Sequence, residues 1–226
     1  MASEITLSME RPAPPECADF AFEIDFRKGE GSASRVFAAT HDFIKACEAL
    51  DAELVQSIDA SIETVLMLED IEVGSIKTWL RSALSSVDDD ALKTLDWKKA
   101  VGAYLVKAKY AVIHWTEESE VPKRLQSLRR DIQLIAAETD VRHLPDYAPP
   151  SPTALINAMR DIQRTKDNLI PGDRATMITP AGNVEMKLTL HWSIDDIEAL
   201  AVARTLSQPN AEMILAVKKP DYLGSS

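Results

Sequence analysis

The chain has 226 residues, 46% hydrophobic and 27% charged, a composition that excludes collagenous, disordered and small disulfide-stapled proteins. Its 25 Lys and Arg face 36 Asp and Glu, so the formal net charge is -11. That excludes a generally basic nucleic-acid-binding surface and leaves only local patches.

The length suits one large domain or two small ones. Cys17, in a Pro-rich tail, and Cys47, on an apolar helix stripe, form neither a CxxC pair nor a disulfide framework. No apolar run reaches the roughly 18 to 20 residues of a membrane span, and the start lacks a signal-peptide pattern. A cytoplasmic protein is expected.

Residues 1–19 contain Arg11-Pro12-Ala13-Pro14-Pro15, whose prolines disfavour helix and remove ladder donors, so this stretch reads as a leader without regular structure. Phe20, Phe22, Ile24 and Phe26 alternate with Ala21, Glu23 and Asp25, the period of a strand with one apolar face. After Lys28-Gly29-Glu30-Gly31, the positions Val36, Phe37, Thr40, Phe43, Ile44, Cys47, Leu50 and Leu54 make one stripe of an amphipathic helix. Ser61 to Leu68 and Ser75 to Leu84 read as two strands around an acidic turn from Glu69 to Gly74, with a helix as the alternative for Lys77 to Leu84. The N-terminal module is thus β-α-β-β.

Lys98 to Trp115 puts Val101, Tyr104, Leu105, Ala108, Val112 and Trp115 on one side of a helix. A second helix, from about Pro122 to Ala137, carries Val121, Leu125, Leu128, Ile132 and Ile135 in a narrow seam spaced 4, 3, 4, 3. Such a seam fits a neighbouring helix or another chain. Residues 20–138 then form one α+β module with a central helical pair. Thr139 to Pro150 is the expected boundary. Residues 151–226 form a smaller module of order α-β-β-α-β, opening at the N-cap pair Ser151-Pro152 and containing a hairpin around Pro180-Ala181-Gly182-Asn183. A helix from Ser193 and a last strand, Ala211 to Val217, complete it. The fold class expected is α+β.

Catalytic signatures are sparse. His41, His114, His143 and His191 make no HxxxH, HExxH or HD pair, and the seven glycines include no phosphate-cradling loop. Asp88-Asp89-Asp90 suits a helix start better than a metal site, because consecutive helical residues point in different directions. No metal and no cofactor are therefore assigned. Glu69, Asp70 and Glu72, with Asp88, Asp89 and Asp90, are the acidic-cleft alternative, which requires these carboxylates to converge. Lys123, Arg124, Arg129 and Arg130 form the densest basic cluster, but with Glu117, Glu118, Glu120 and Asp131 close in sequence they read better as ion-paired helix surface than as a nucleic-acid site.

Leu68-Glu69-Asp70-Ile71-Glu72-Val73-Gly74-Ser75-Ile76 with Asp96-Trp97-Lys98-Lys99, and Lys218-Lys219-Pro220-Asp221-Tyr222-Leu223-Gly224-Ser225-Ser226, resemble strings of a family of uncharacterised bacterial proteins with no assigned activity. The resemblance covers both modules. It implies a longer chain that continues into further strands, and it supplies no catalytic residues. The expected function is that of a non-enzymatic bacterial interaction or accessory protein, by analogy in phage defence or signalling, working through a protein interface on the Val121–Ile135 seam. Self-association or a protein partner is expected, with no membrane and no nucleic acid. The alternative is a small-molecule or nucleotide-binding sensor, or a metal-dependent hydrolase with the acidic cleft.

Overall fold

In the computed structural model the described residues are 14–72, 76–86, 96–117, 125–141 and 147–189, together with 196 and 199. Alternation sets the first strand, β1 (Phe20–Asp25), whose Phe20, Phe22 and Ile24 are buried on one face. The apolar stripe that follows becomes helix α1 (Ala33–Gln56), which lays Val36, Phe43, Cys47, Leu50 and Leu54 against that face. The rings of Phe22 and Phe43 stack with centroids 3.8 Å apart, which fixes the helix over the middle of the strand.

Strands β2 (Ile62–Glu72) and β3 (Ile76–Ser86) pair antiparallel, so Lys77 to Leu84 is strand and not helix. The expected acidic turn is corrected as well. Glu69 to Glu72 lie within β2, and residues 73–75 are outside the described residues. Acidic residues are poor strand formers, but cross-strand partners override that preference here. Arg81 Nε donates to Glu69 Oε1 at 2.6 Å, and Trp79 Nε1 donates to Glu72 Oε1 at 2.6 Å.

Helix α2 (Trp97–Glu117) buries the predicted side, and α3 (Leu125–Glu138) packs on it. Helix α4 (Pro152–Asp167) starts where expected: Ser151 Oγ accepts from the Ala154 amide, and Pro152 takes the first helical position. Strands β4 (Arg174–Thr179) and β5 (Gly182–Met186) form the predicted hairpin. Gly182 has φ 142°, a conformation that favours glycine, and a Cβ there would make a tight 3.3 Å contact with the Tyr110 hydroxyl.

All five strands share one antiparallel sheet of order β2-β3-β1-β4-β5. The boundary expected at 139–150 therefore separates elements in sequence but not in space, because β4 pairs with β1 (Phe22 opposite Met177, Ile24 opposite Ala175) and α4 packs on α1. Helices cover the face bearing Phe22, Leu80, Met177 and Val184. The opposite face carries Glu23, Lys77, Thr176 and Glu185, with Trp79 lying beside Ala21. The described part of the leader is short: the Asp19 amide already donates to the Leu80 carbonyl at 2.9 Å. The predicted helix from Ser193 and the strand Ala211 to Val217 lie outside the described residues, apart from helical positions at 196 and 199. Among the described residues no helix is long and apolar enough to cross a membrane.

Candidate interaction surface

Strand β2 forms one edge of the sheet, and over 11 residues only β3 pairs with it among the described residues. Side chains directly opposite in an antiparallel pair share a face. Val65 and Met67, opposite Ala83 and Arg81, therefore sit on the outer face, while Leu68 and Ile71, opposite Leu80 and Thr78, sit on the helix side but beyond the cover of the helices. All four are exposed, at 59%, 42%, 55% and 53%. A bulge between Leu68 and Asp70 changes the register and inserts Glu69, so the strand shows apolar groups on both faces within seven residues. Proteins normally shorten, charge or cover such an edge, because its free N–H and C=O groups template another strand.

The acidic residues divide by partner. Glu69 is held by Arg81, and Glu72 by Trp79 and Lys77. Asp70 Oδ1 accepts from the Ile71 amide, and Glu63 is exposed on the outer face. Glu69 and Glu72 thus serve the β2–β3 ladder, while Asp88, Asp89 and Asp90 lie outside the described residues. Among the described residues no three His, Cys, Asp or Glu side chains come close enough together to hold a metal ion.

The helical seam is filled from within the chain. Leu125, Leu128 and Ile132 are buried and Ile135 is half-buried, all in the core shared with α2. As an external interface these positions are corrected: the 4, 3, 4, 3 spacing describes packing on α2, and Val121 is outside the described residues. The large apolar side chain that α3 exposes is Leu134. Of the basic cluster, Lys123 and Arg124 are outside the described residues, Arg129 Nε donates to the Pro150 carbonyl, and Arg130 is exposed beside Asp131.

A buried ionic cluster escaped sequence reading. Lys109 Nζ lies 2.5 and 2.7 Å from the two carboxylate oxygens of Asp51 and 3.3 Å from Ser82 Oγ, which itself donates to Asp51 Oδ2 at 3.2 Å. Lys109 and Asp51 are almost wholly buried, and the ammonium stands 5.0 Å from the centre of the Phe20 ring. Burial raises the Asp51 carboxyl above its ordinary value, while Lys109 and Ser82 pull it back. Burial likewise pushes the neighbouring Cys47 thiol up to about 12, so it stays protonated and unreactive. Lys109 donates to Ser82 and is engaged by Asp51, so the trio locks α1, α2 and β3 together and does not activate a nucleophile. Each charge does leave a trace in the sequence: Asp51 interrupts the stripe of Cys47, Leu50 and Leu54, and Lys109 that of Leu105, Ala108 and Val112.

Two more buried pairs work in the same way. Arg35 holds Asp173 at 2.7 Å, joining α1 to the loop before β4, and Lys166 holds Glu117 at 2.5 Å, joining α4 to the end of α2.

The chain matches no protein-family model, and neither a curated protein nor a solved structure gives a significant match.

Proposed function

We propose that this is a non-enzymatic interaction protein that receives an extended segment of a partner protein along the outer edge of β2. The observation that carries the reading is the exposure of Val65, Met67, Leu68 and Ile71 on one long edge strand. Strand addition draws affinity from main-chain hydrogen bonds and specificity from alternate side chains. On the outer face Glu63 and Asp70 flank Val65 and Met67, so the fitting segment carries apolar residues in its middle and Lys or Arg at its ends. A second copy paired antiparallel in the register centred on Leu66 fits less well, because it would set Glu63 against Glu69, and like charges directly opposite are destabilising.

The test uses a synthetic peptide of alternating Val and Thr with Lys at both ends, its counterpart with Glu at both ends, and the variant Val65→Lys/Met67→Lys. Both replaced side chains are exposed, so the variant folds. The Lys-ended peptide is expected to bind the wild type, to slow amide exchange over 62–72, and to lose at least about tenfold in affinity with the variant. Equal binding of the Glu-ended peptide, or no protection of β2, refutes the reading. A wild-type dimer that the double variant converts to monomer assigns the edge to a second copy instead.

A further inference from the structure

A second, chemically different site lies where the start of β1, the middle of β3 and the first three turns of α2 meet. It is a cleft of about 490 Å³ with Arg81, Lys98, Lys99 and Lys107 in its lining, together with Asp19 and Ser82. In a chain of net charge -11, four cations meet at one opening beside Asp19, with Arg81 and Lys107 already paired to Glu69 and Glu138 and Lys98 and Lys99 completing the set.

Lys98 and Lys99 occupy the first turn of α2, directly after Asp96, whose carbonyl accepts from the Lys99 and Ala100 amides. Arg81 is held in place by Glu69 through its Nε, and Lys107 reaches Glu138 at 3.0 Å, so two of the four cations are anchored. The Asp19 carboxylate is partly occupied, since it accepts from the Ser82 amide at 2.8 Å.

Gly102 supplies an independent observation. It stands inside a 21-residue helix, where glycine is destabilising relative to alanine, and its backbone has no positive φ that would require glycine. Nothing lies within 4 Å of where its Cβ would sit, so packing does not require glycine either. The missing side chain keeps the cleft wall thin beside Val106.

We propose that this cleft binds an organic phosphate, with the phosphoryl group among Arg81, Lys98 and Lys99 and the apolar body along the Gly102–Val106 wall. A dianion answers several cations better than a single carboxylate does, and the volume lies within the range of small-molecule sites.

Calorimetric titration of the whole chain at low salt, with adenosine monophosphate and phenyl phosphate as probes, tests this, with adenosine, phenol and inorganic phosphate as controls. Two variants separate the parts. Lys98→Glu/Lys99→Glu reverses the charge while improving the helix start, and Gly102→Leu fills the wall while improving helix propensity, so neither lowers the melting temperature. At least one organic phosphate is expected to bind more tightly than every control, and each variant to weaken it about tenfold or more. Failure of both phosphates to bind at millimolar concentration overturns the site. Binding of adenosine or phenol equal to that of its phosphate removes the anion, and inorganic phosphate binding as tightly removes the apolar body. Retention of affinity in either variant overturns the placement.

Discussion

Lys109 and Asp51 show how much hangs on single side chains in this core. Removing one partner of a buried pair strands the other charge in a low-dielectric interior, at a cost of about 3–5 kcal/mol. Lys109→Ala is therefore expected to destabilise by that amount in urea unfolding. Lys109→Met combined with Asp51→Leu is expected to recover most of the loss, because no charge is then left unpaired. Asp19 gives a pH signature. Burial holds its carboxyl above the ordinary value despite the Ser82 amide and the nearby Lys109. The folded chain then keeps a proton that the unfolded chain releases as pH passes about 3.9, so this contribution favours folding at low pH and is lost as pH rises through the folded value. Asp19→Asn keeps an acceptor for the Ser82 amide without the titration. Compared with the variant, the wild type is expected to lose stability as pH rises above about 3.9, as read from urea midpoints. A stability difference that stays constant as pH rises from there would show that Asp19 titrates normally.

At the scale of elements, the helices divide into those the sequence announces fully and those it announces ambiguously. Ser151 caps α4 through a hydrogen bond to the Ala154 amide, so Ser151→Ala is expected to cost about 1 kcal/mol in a denaturation curve. In α3 the seam faces inward and Leu134 faces out. Leu128→Ala is expected to cost about 2–5 kcal/mol with no change in solution mass, whereas Leu134→Glu is expected to stay within about 0.5 kcal/mol. A Leu128 variant that kept its stability but changed its mass would return the seam to an external interface. Periodicity showed which α3 positions are buried but not what buries them, because a 4, 3 repeat packs equally well on a helix of its own chain or of another.

For the whole molecule, the decisive contact is the pairing of β1 with β4, separated by about 150 residues of chain. It places the two expected modules in one sheet over one core, which the buried pairs Arg35–Asp173 and Lys166–Glu117 bind further. Unfolding followed by tryptophan fluorescence, from Trp79, Trp97, Trp115 and Trp192, is expected to coincide with unfolding followed by far-ultraviolet circular dichroism in a single transition. Two separated transitions would restore the division into modules.

The α+β class and most element positions were legible in local pattern, because alternation and helical spacing are properties of neighbouring residues. So were the Ser151 cap and the Gly182 hairpin, where one or two residues set the backbone. The remainder depends on contacts between residues distant in the chain. Glu69 to Glu72 belong to a strand because Arg81, Lys77 and Trp79 stand opposite them, and α3 is core because α2 covers it. Lys109 and Asp51 find each other across 58 positions of chain. The exposed edge of β2 and the basic cleft beside α2 also arise from the order in which strands assemble, and strand order is a long-range property that no local pattern encodes.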